Sequence, residues 1–219
     1  METYRIIEIK KNITENNDKR AQVVREKLKE SNTFVINVMS SPGSGKTTTL
    51  LQTINALKDK YKLGVIEADL DSDVDASTIS KTGIKVVQLN TGHGCHMTAA
   101  MADEGLEDIN YKDLDLVFLE NIGNLICPTS FDTGATSNIC ILSVPEGDDK
   151  PLKYPPMFEM CEVMIINKID AASFFDFDID KCISHVKKLN PEIKVFPLSA
   201  KTGEGIQEWI QWVESKLVK

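Results

Sequence analysis

The fold is decided by the stretch Ser40-Ser41-Pro42-Gly43-Ser44-Gly45-Lys46-Thr47, which lies between the apolar run 34–39 and a helical segment that ends at residue 57. An apolar run of this length is long enough for a buried strand. A glycine-rich loop between a strand and a helix is the place where a phosphate-binding loop belongs. The generic pattern has Gly where this chain has Ser40. The strand–loop–helix context still favours phosphate binding over a plain turn.

The residues of this loop have the chemistry that a bound triphosphate requires. Gly43 and Gly45 let the backbone bend so that successive N–H groups point at the phosphates, and the following helix adds the partial positive charge of its N-terminus. Lys46 would reach the β- and γ-phosphates, and the Thr47 hydroxyl would bind Mg²⁺. The residues predicted to bind nucleotide in this loop are Gly43, Ser44, Gly45, Lys46, Thr47 and Thr48.

Apolar runs alternate with helical segments along the rest of the chain. Because each run is nearly wholly apolar, the pattern indicates parallel strands covered by helices on both faces. We therefore predict a three-layer α/β phosphate-loop NTPase with a mostly parallel central sheet flanked by helices. We expect a single domain overall, in which residues 1–33 are a helical extension packed on the nucleotide-binding domain, residues 34–219. The predicted strands are 34–39, 63–68, 85–89, 114–120, 138–143, 163–167 and 194–198, and the other predicted helices are 16–30, 97–106, 178–189 and 204–217.

Composition and charge exclude several classes of protein. The 219 residues carry a net charge of -8, with 42% hydrophobic residues. Nucleic acid and anionic membranes both bind clustered Lys and Arg, so neither is an expected partner. No run of about 18 apolar residues is present to span a membrane, and the N-terminus lacks the apolar core of a secretion signal. Five scattered cysteines indicate reduced thiols, and we expect a cytoplasmic protein.

A second motif concerns the nucleotide base. Asn167-Lys168-Ile169-Asp170 follows the apolar run 163–166, so it lies at the sheet edge where ligands of open α/β proteins bind. The Asp170 carboxylate can accept hydrogen bonds from guanine N1–H and N2–H₂, which adenine does not offer, while Lys168 lies against the base and Asn167 braces the loop. Ser199-Ala200-Lys201 follows another strand and would offer N–H groups to guanine O6. Together these loops predict GTP as the nucleotide.

Acidic residues near the triphosphate are expected to hold Mg²⁺, since phosphate-loop NTPases carry such a carboxylate at the end of another strand. Asp69 ends the second predicted strand, Asp75 lies in an acidic loop after it, and Glu120 ends the fourth. Gly123 could donate its N–H to the γ-phosphate. No Gln follows it to position water, so we expect slow hydrolysis of GTP to GDP and phosphate. The predicted magnesium ligands are Thr47, Asp69, Asp75 and Glu120, and the predicted catalytic residues are Lys46, Asp75, Glu120 and Gly123.

A candidate metal site lies beside these acids. Cys95-His96 follows the third predicted strand, and Cys127 lies on the loop after the fourth. Two thiolates and an imidazole suit Zn²⁺ or Ni²⁺, and three ligands leave a tetrahedral site one short. A two-fold dimer could bring two such clusters together. On spacing alone, the alternative that these thiols are simply buried side chains stays open.

With these segments together, the chain resembles the hydrogenase nickel-incorporation GTPases of the HypB family, which are SIMIBI-type phosphate-loop metallochaperones. The resemblance covers nearly the whole chain. The segments that carry it are the phosphate loop, Asn90-Thr91-Gly92 with Cys95-His96, Glu120-Asn121-Ile122-Gly123-Asn124-Leu125-Ile126-Cys127-Pro128, residues 146–155, and Asn167-Lys168-Ile169-Asp170. The family also tolerates Ser at the first position of the phosphate loop.

The resemblance implies a GTP-hydrolysing metallochaperone that helps insert nickel into [NiFe]-hydrogenase precursors. It implies a homodimer linked to GTP and metal, with hydrogenase maturation proteins and the hydrogenase large-subunit precursor as partners. The family's nickel or zinc ligands fall on Cys95, His96 and Cys127. Some members also carry an N-terminal cysteine cluster or a histidine-rich tract, but the first 90 residues here contain neither Cys nor His. Any nickel would therefore be held in the GTPase domain or handed over by a partner.

Three alternatives remain at this level. A related metallochaperone could serve another nickel enzyme such as urease, although that family carries a Cys-Pro-His motif and this chain has Cys95-His96-Met97. The chain could instead be a regulatory GTP-binding module without metal cargo. It could also be an ATP-dependent kinase, which competition between GTP and ATP would reveal.

Overall fold

The structure is a computed structural model. It describes residues 9–69, 74–92 and 94–217, with side chains from Thr14 onward. The strands are β1 (Phe34–Ser40), β2 (Leu63–Asp69), β3 (Lys85–Asn90), β4 (Leu116–Glu120), β5 (Ser137–Ser143), β6 (Val163–Asn167) and β7 (Lys194–Pro197). The α-helices are α1 (Ile9–Ser31), α2 (Lys46–Leu57), α3 (Val74–Ser80), α4 (Ala99–Ile109), α5 (Lys150–Lys153), α6 (Pro155–Glu159), α7 (Ile179–Leu189) and α8 (Ile206–Leu217). Short 3-10 helices cover Tyr111–Asp113, Cys127–Ser130, Val144–Glu146 and Ile169–Phe174.

The seven strands form one sheet in the order β3-β2-β4-β1-β5-β6-β7. Every pairing between neighbouring strands is parallel. The predicted three-layer α/β fold is confirmed, and the described sheet is wholly rather than mostly parallel. Because all strands run the same way, the loops after β1, β2, β4 and β6 open on one edge of the sheet. That edge holds the phosphate loop, the acidic residues and the base motif.

The two faces of the sheet are covered by different helices. Ile36 and Val38 of β1 pack in a core with α2, α3 and α8, and the Trp209 indole N–H of α8 donates to Thr53 Oγ1 of α2 at 2.8 Å. Val35 points the other way and packs in a core with α1 and α4. The alternation of a strand's side chains thus divides each apolar run between two helical layers.

Helix α1 packs against α4 through Ala21, Val24 and Leu28, all of which are buried. It is longer than predicted, since it begins at Ile9 rather than near residue 16. On α4, the buried Asp103 forms ion pairs with Arg20 and Lys27 of α1. These ion pairs attach α1 to the helix that follows the Cys95-His96 loop. The treatment of residues 1–33 as a separate extension stays a prediction.

The placement of Asp75 in an acidic loop was wrong, because Asp75 lies in the first turn of α3. Ala76 and Ile79 are buried three residues apart, which gives this segment one apolar face, and an acidic residue in a first turn interacts favourably with the helix dipole. Residues 70–73, which complete the acidic stretch, lie outside the described residues. No helix in the described parts of the chain is both long and apolar enough to cross a membrane.

Candidate functional site

The phosphate loop connects β1 to α2 at the centre of the sheet. Its two glycines have left-handed backbone conformations, with φ of 73° at Gly43 and 97° at Gly45. The Lys46 ammonium donates to Ser40 Oγ at 3.2 Å. Ser40, which stands where the generic pattern has Gly, therefore contacts Lys46. The buried Ser40 hydroxyl holds the Lys46 ammonium over the loop.

The base motif is attached directly to the phosphate loop. The Asn167 amide nitrogen donates to Ser44 O at 2.9 Å, and Lys168 Nζ donates to Gly43 O at 2.7 Å. Asn167 Oδ1 accepts from Ala200 N–H at 3.0 Å. One buried asparagine thus joins the phosphate loop and the Ser199-Ala200-Lys201 loop. A Cβ on Gly45 would overlap its amide nitrogen, so only glycine fits there.

A cavity of about 380 Å³ lies between these loops. The Asp170 carboxylate lies beside it and accepts a hydrogen bond from Ser199 Oγ at 2.6 Å. This bond orients the carboxylate that the sequence predicts to bind guanine. The lining residues are Gly45, Thr48, Asn167, Lys168, Asp170, Ala171, Ala200 and Lys201.

Glu120 is the last residue of β4, and its side chain reaches Thr47 at the start of α2, next to the phosphate loop. Its Oε1 accepts from the Thr47 hydroxyl at 2.9 Å, while its buried Oε2 has no hydrogen-bond partner among the described residues. Burial raises the pKa of Glu120 to about 7, although the nearby Lys46 ammonium lowers it. Asp69 and Asp75 are half-buried and near enough to raise this pKa further. Of the predicted carboxylates, Glu120 therefore contacts Thr47, while Asp69 and Asp75 are near enough to act on Glu120 through their charge.

The structure adds Glu67, which the motif analysis missed. It lies beside Glu120 in the register of β2 and β4 and is 3% exposed. Within the described part of the chain, its buried Oε2 also has no hydrogen-bond partner. Burial, followed by repulsion from Glu120, raises the pKa of Glu67 to about 8. A carboxylate within the apolar run 63–68 was the available signal. The Thr47 hydroxyl and two orphaned carboxylate oxygens are the hard oxygen donors that Mg²⁺ prefers.

Glu67 should make the nucleotide-free, magnesium-free protein less stable as pH rises. Its folded pKa of about 8 lies above the unfolded value, so the native state holds a proton that the unfolded state loses, and stability falls between about pH 4.5 and 8. We expect Glu67→Gln to gain on the order of 2–4 kcal/mol over wild type in free energy of unfolding between pH 5 and 9. Urea unfolding at both pH values measures this. An equal difference at the two pH values would contradict it.

The three predicted metal ligands lie on adjacent loops but are not all assembled. Asn124 joins the loops of Cys95 and Cys127, and the nearby Cys127 thiol raises the pKa of Cys95. Cys95 Sγ is 3.6 Å from His96 Nδ1. The His96 ring stacks on Phe131 with centroids 3.8 Å apart, and burial lowers its pKa. Among the described residues, no three His, Cys, Asp or Glu side chains form a group that could hold a metal. His93, two residues before Cys95, lies outside the described residues.

Two asparagines near these thiols were also missed from the sequence. Asn124 Nδ2 donates to Cys95 O at 3.3 Å, and Asn124 Oδ1 accepts from Cys127 N–H at 3.3 Å. Asn121 Oδ1 accepts from Met97 N–H at 3.0 Å. Within the run 120–128 these residues have no feature that separates them from other polar loop residues.

The loop after β4 also touches the phosphate loop. A Cβ on Gly123 would lie 2.9 Å from Pro42 N, so the two backbones approach closely. The segment that ends in Cys127 therefore begins beside the carboxylate that contacts Thr47, passes the phosphate loop, and reaches the thiol pair.

A wholly parallel sheet, with a phosphate loop after its central strand and a base-binding loop attached to it, defines a phosphate-loop nucleotide-binding protein. Comparison with known proteins narrows this class. The CobW/HypB/UreG nucleotide-binding domain model matches residues 34–197. This chain belongs to that family and, within it, to the HypB proteins, so the resemblance seen in the sequence is confirmed. Membership makes it a nucleotide-binding protein of a GTPase family.

Three relatives carry this assignment. The hydrogenase maturation factor HypB of Azotobacter chroococcum mcd 1 is 46% identical over 210 residues, which are 96% of this chain and 69% of that protein. The crystal structure of HypB from Archaeoglobus fulgidus is 36% identical with a TM-score of 0.87, over 93% of this chain and 99% of that one. The structure of HypB from Helicobacter pylori in complex with nickel is 38% identical with a TM-score of 0.86, over 92% and 95% of the two chains.

Proposed function

We propose that this protein is a GTP-hydrolysing metallochaperone that binds nickel or zinc through Cys95, His96 and Cys127 and helps insert nickel into [NiFe]-hydrogenase precursors. The observation that carries the proposal is that Asn124 holds the loops of Cys95 and Cys127 together, with the two thiols near enough for Cys127 to raise the pKa of Cys95. The names of the relatives support the hydrogenase role, and the nickel complex of the Helicobacter pylori protein supports the cargo.

In the proposed mechanism, Lys46 and the N–H groups of the phosphate loop neutralise the charge of the transferred phosphoryl group. Thr47, Asp69, Asp75 and Glu120 would hold Mg²⁺, and Glu67 adds a further oxygen beside them. Held by these residues, Mg²⁺ would supply positive charge that stabilises the charge developing on the phosphate oxygens. Asp170 would select guanine, and Gly123 would follow the γ-phosphate. No Gln follows Gly123, which supports slow turnover.

We propose that the nickel or zinc site is completed in a homodimer. The thiol pair and His96 supply fewer ligands than a closed tetrahedral site needs, and two-fold symmetry would bring two such sets together. Phe174, which is 83% exposed, and Leu152 are large apolar side chains on the surface, as expected of residues that a partner covers. Hydrogenase maturation proteins and the large-subunit precursor are the proposed partners for cargo transfer.

Metal titration tests the cargo directly. Cys95→Ala/Cys127→Ala should lose affinity for Ni²⁺ and Zn²⁺ by more than the roughly 10- to 100-fold typical of outer-shell changes, because it removes thiolate ligands. The matched control is Cys161→Ala, since Cys161 contacts Cys140 as a second thiol pair but lies in the core. Unchanged metal affinity in the double variant would leave only a guanine-nucleotide binder.

A maturation assay tests the biological role. In a host that lacks its own HypB protein, the wild-type chain should restore hydrogenase activity, and Cys95→Ala/Cys127→Ala should restore much less. Excess nickel in the medium should narrow the gap, because the double variant is limited by nickel supply rather than by folding of the precursor, and added nickel relieves that limit. A double variant that restores full activity without added nickel would contradict the proposal.

A further inference from the structure

Asn121 is a buried amide at the junction between the nucleotide and thiol loops. It follows Glu120 directly, is 1% exposed, and its backbone N–H donates to Val38 O at 3.0 Å. Its side-chain oxygen accepts two hydrogen bonds, from Met97 N–H at 3.0 Å and from Ile122 N–H at 2.9 Å. One oxygen atom therefore holds two separate backbone segments.

These two segments lie beside different candidate sites, one for metal and one for nucleotide. Met97 is buried and follows Cys95 and His96 directly. Ile122 precedes Gly123, whose backbone lies against Pro42 of the phosphate loop. Because an amide oxygen has two lone pairs, a movement of the Ile122 segment either carries the Met97 segment along or leaves a buried N–H without a partner. Leaving it unpaired is costly, so the two movements are coupled.

The other end of the Asn121 amide is anchored in the sheet. Its Nδ2 donates to Asn37 Oδ1 at 3.1 Å, and Asn37 Nδ2 donates to Asn138 Oδ1 at 2.9 Å. A row of three amides thus crosses from the end of β4 over β1 to β5. On the thiol side, Asn124 ties Cys95 to Cys127. Asn121 is therefore a pivot between a fixed sheet and a pair of loops that are joined to each other.

We infer that Asn121 is a positioning residue that transmits the nucleotide state of the 120–123 segment to the loop carrying Cys95 and His96. This inference rests on the proposed function, because it names the residue through which GTP would alter the cargo site. Coupling of this kind requires a contact that differs between the two nucleotide states, and in this inference that contact is the pair of hydrogen bonds to Asn121 Oδ1.

The chain offers a matched control in Asn17 of α1. Asn17 Oδ1 accepts from Ala99 N–H at 2.9 Å, two residues beyond Met97, and Asn17 Nδ2 donates to Asp132 O at 2.8 Å. Like Asn121, it is a largely buried asparagine that holds the start of α4. None of its hydrogen bonds in the described part of the chain reaches the 120–123 segment. It supports the same loop without the connection to the phosphate loop.

Amide hydrogen exchange on the full chain without metal tests the inference. With GDP and with a non-hydrolysable GTP analogue, wild-type exchange in segment 95–101 should differ by about 5-fold or more, the lower end of typical coupling. In Asn121→Ala the two nucleotide states should give the same rate within about twofold. Asn17→Ala should exchange faster in both states and keep the ratio. An Asn121→Ala protein that keeps the wild-type ratio, or a wild type with no difference, overturns the inference.

Asn121→Ser provides a second variant that retains a polar group in the buried position but is one bond shorter. If Asn121→Ala does not fold, loss of the ratio in Asn121→Ser supports the inference and its retention overturns it. The outcome is separable from that of the metal titration. Exchange that depends on the nucleotide and on Asn121 can be found even if Cys95→Ala/Cys127→Ala leaves metal affinity unchanged. Conversely, that double variant can lose metal affinity even if exchange does not depend on Asn121.

Discussion

Replacing Asp170 by Asn should lower the affinity for GTP by roughly 10²- to 10⁴-fold, because two hydrogen bonds to a charged acceptor are each worth about 1.5–3 kcal/mol. The carboxylate lies at the cavity beside Asn167 and Lys168 and is oriented by Ser199. An Asn side chain presents one N–H₂ group where guanine also presents donors. The loss should therefore be in binding of the base, and the unfolding transition should change little.

Competition binding with GTP, ATP and xanthosine triphosphate measures this change. Xanthine carries an oxygen where guanine carries its amino group, so Asp170→Asn should bind the xanthosine nucleotide more tightly than wild type does. Asp176→Asn is the matched control, because this substitution removes the same negative charge at an exposed position of the following loop. If Asp170→Asn kept wild-type affinity for GTP, the base would have to bind elsewhere.

Gly45→Ala should abolish nucleotide binding and destabilise the fold by about 1–3 kcal/mol or more. Backbone strain accounts for part of this cost, because φ at Gly45 is 97° and an L residue is disfavoured there. The rest comes from overlap with the Asn167 amide. Relief of that overlap would break the hydrogen bonds that join the phosphate loop to Ala200. The phosphate and base halves of the site would then separate.

Gly83→Ala separates strain from overlap. Gly83 has a similar φ of 86°, but a Cβ there meets nothing within 4 Å. This control should be destabilised by strain alone and should bind nucleotide as wild type does. Urea unfolding and nucleotide titration on both variants give the comparison. Similar stability and similar nucleotide affinity in the two variants would show that the contact between Gly45 and Asn167 has no role.

The nucleotide half of the site could be predicted because its chemistry is local. The backbone must bend so that successive N–H groups point at the phosphates. This bend requires glycine, and Gly43 and Gly45 lie within one short loop. The Asn167 to Asp170 motif likewise places its predicted base contacts within four residues. Alternation of apolar runs and helices was enough to predict the parallel sheet. Asp75 was misplaced because a seven-residue helix with two buried residues has too little periodicity to be recognised.

Glu67, Asn121 and Asn124 could not be assigned from the sequence because their roles depend on distant neighbours. Glu67 stood out as a charge inside an apolar strand, but its effect on Glu120 depends on the register of β2 with β4. The roles of Asn121 and Asn124 depend on their hydrogen bonds to Met97 and Cys95, which lie more than 20 residues earlier in the chain. No spacing rule connects such positions.

The sequence by itself determined the fold class, the candidate phosphate and base loops, and the residue types of the candidate metal site, because each leaves a short local pattern: apolar runs, glycine-rich and Asn-Lys-Ile-Asp loops, and a Cys-His pair. Only the tertiary structure decided that Asn124 joins the Cys95 and Cys127 loops, that Glu67 and Glu120 are buried side by side, and that one amide oxygen holds two loops. Strand order and register bring these groups together. They arise from the packing of the whole sheet rather than from any one segment.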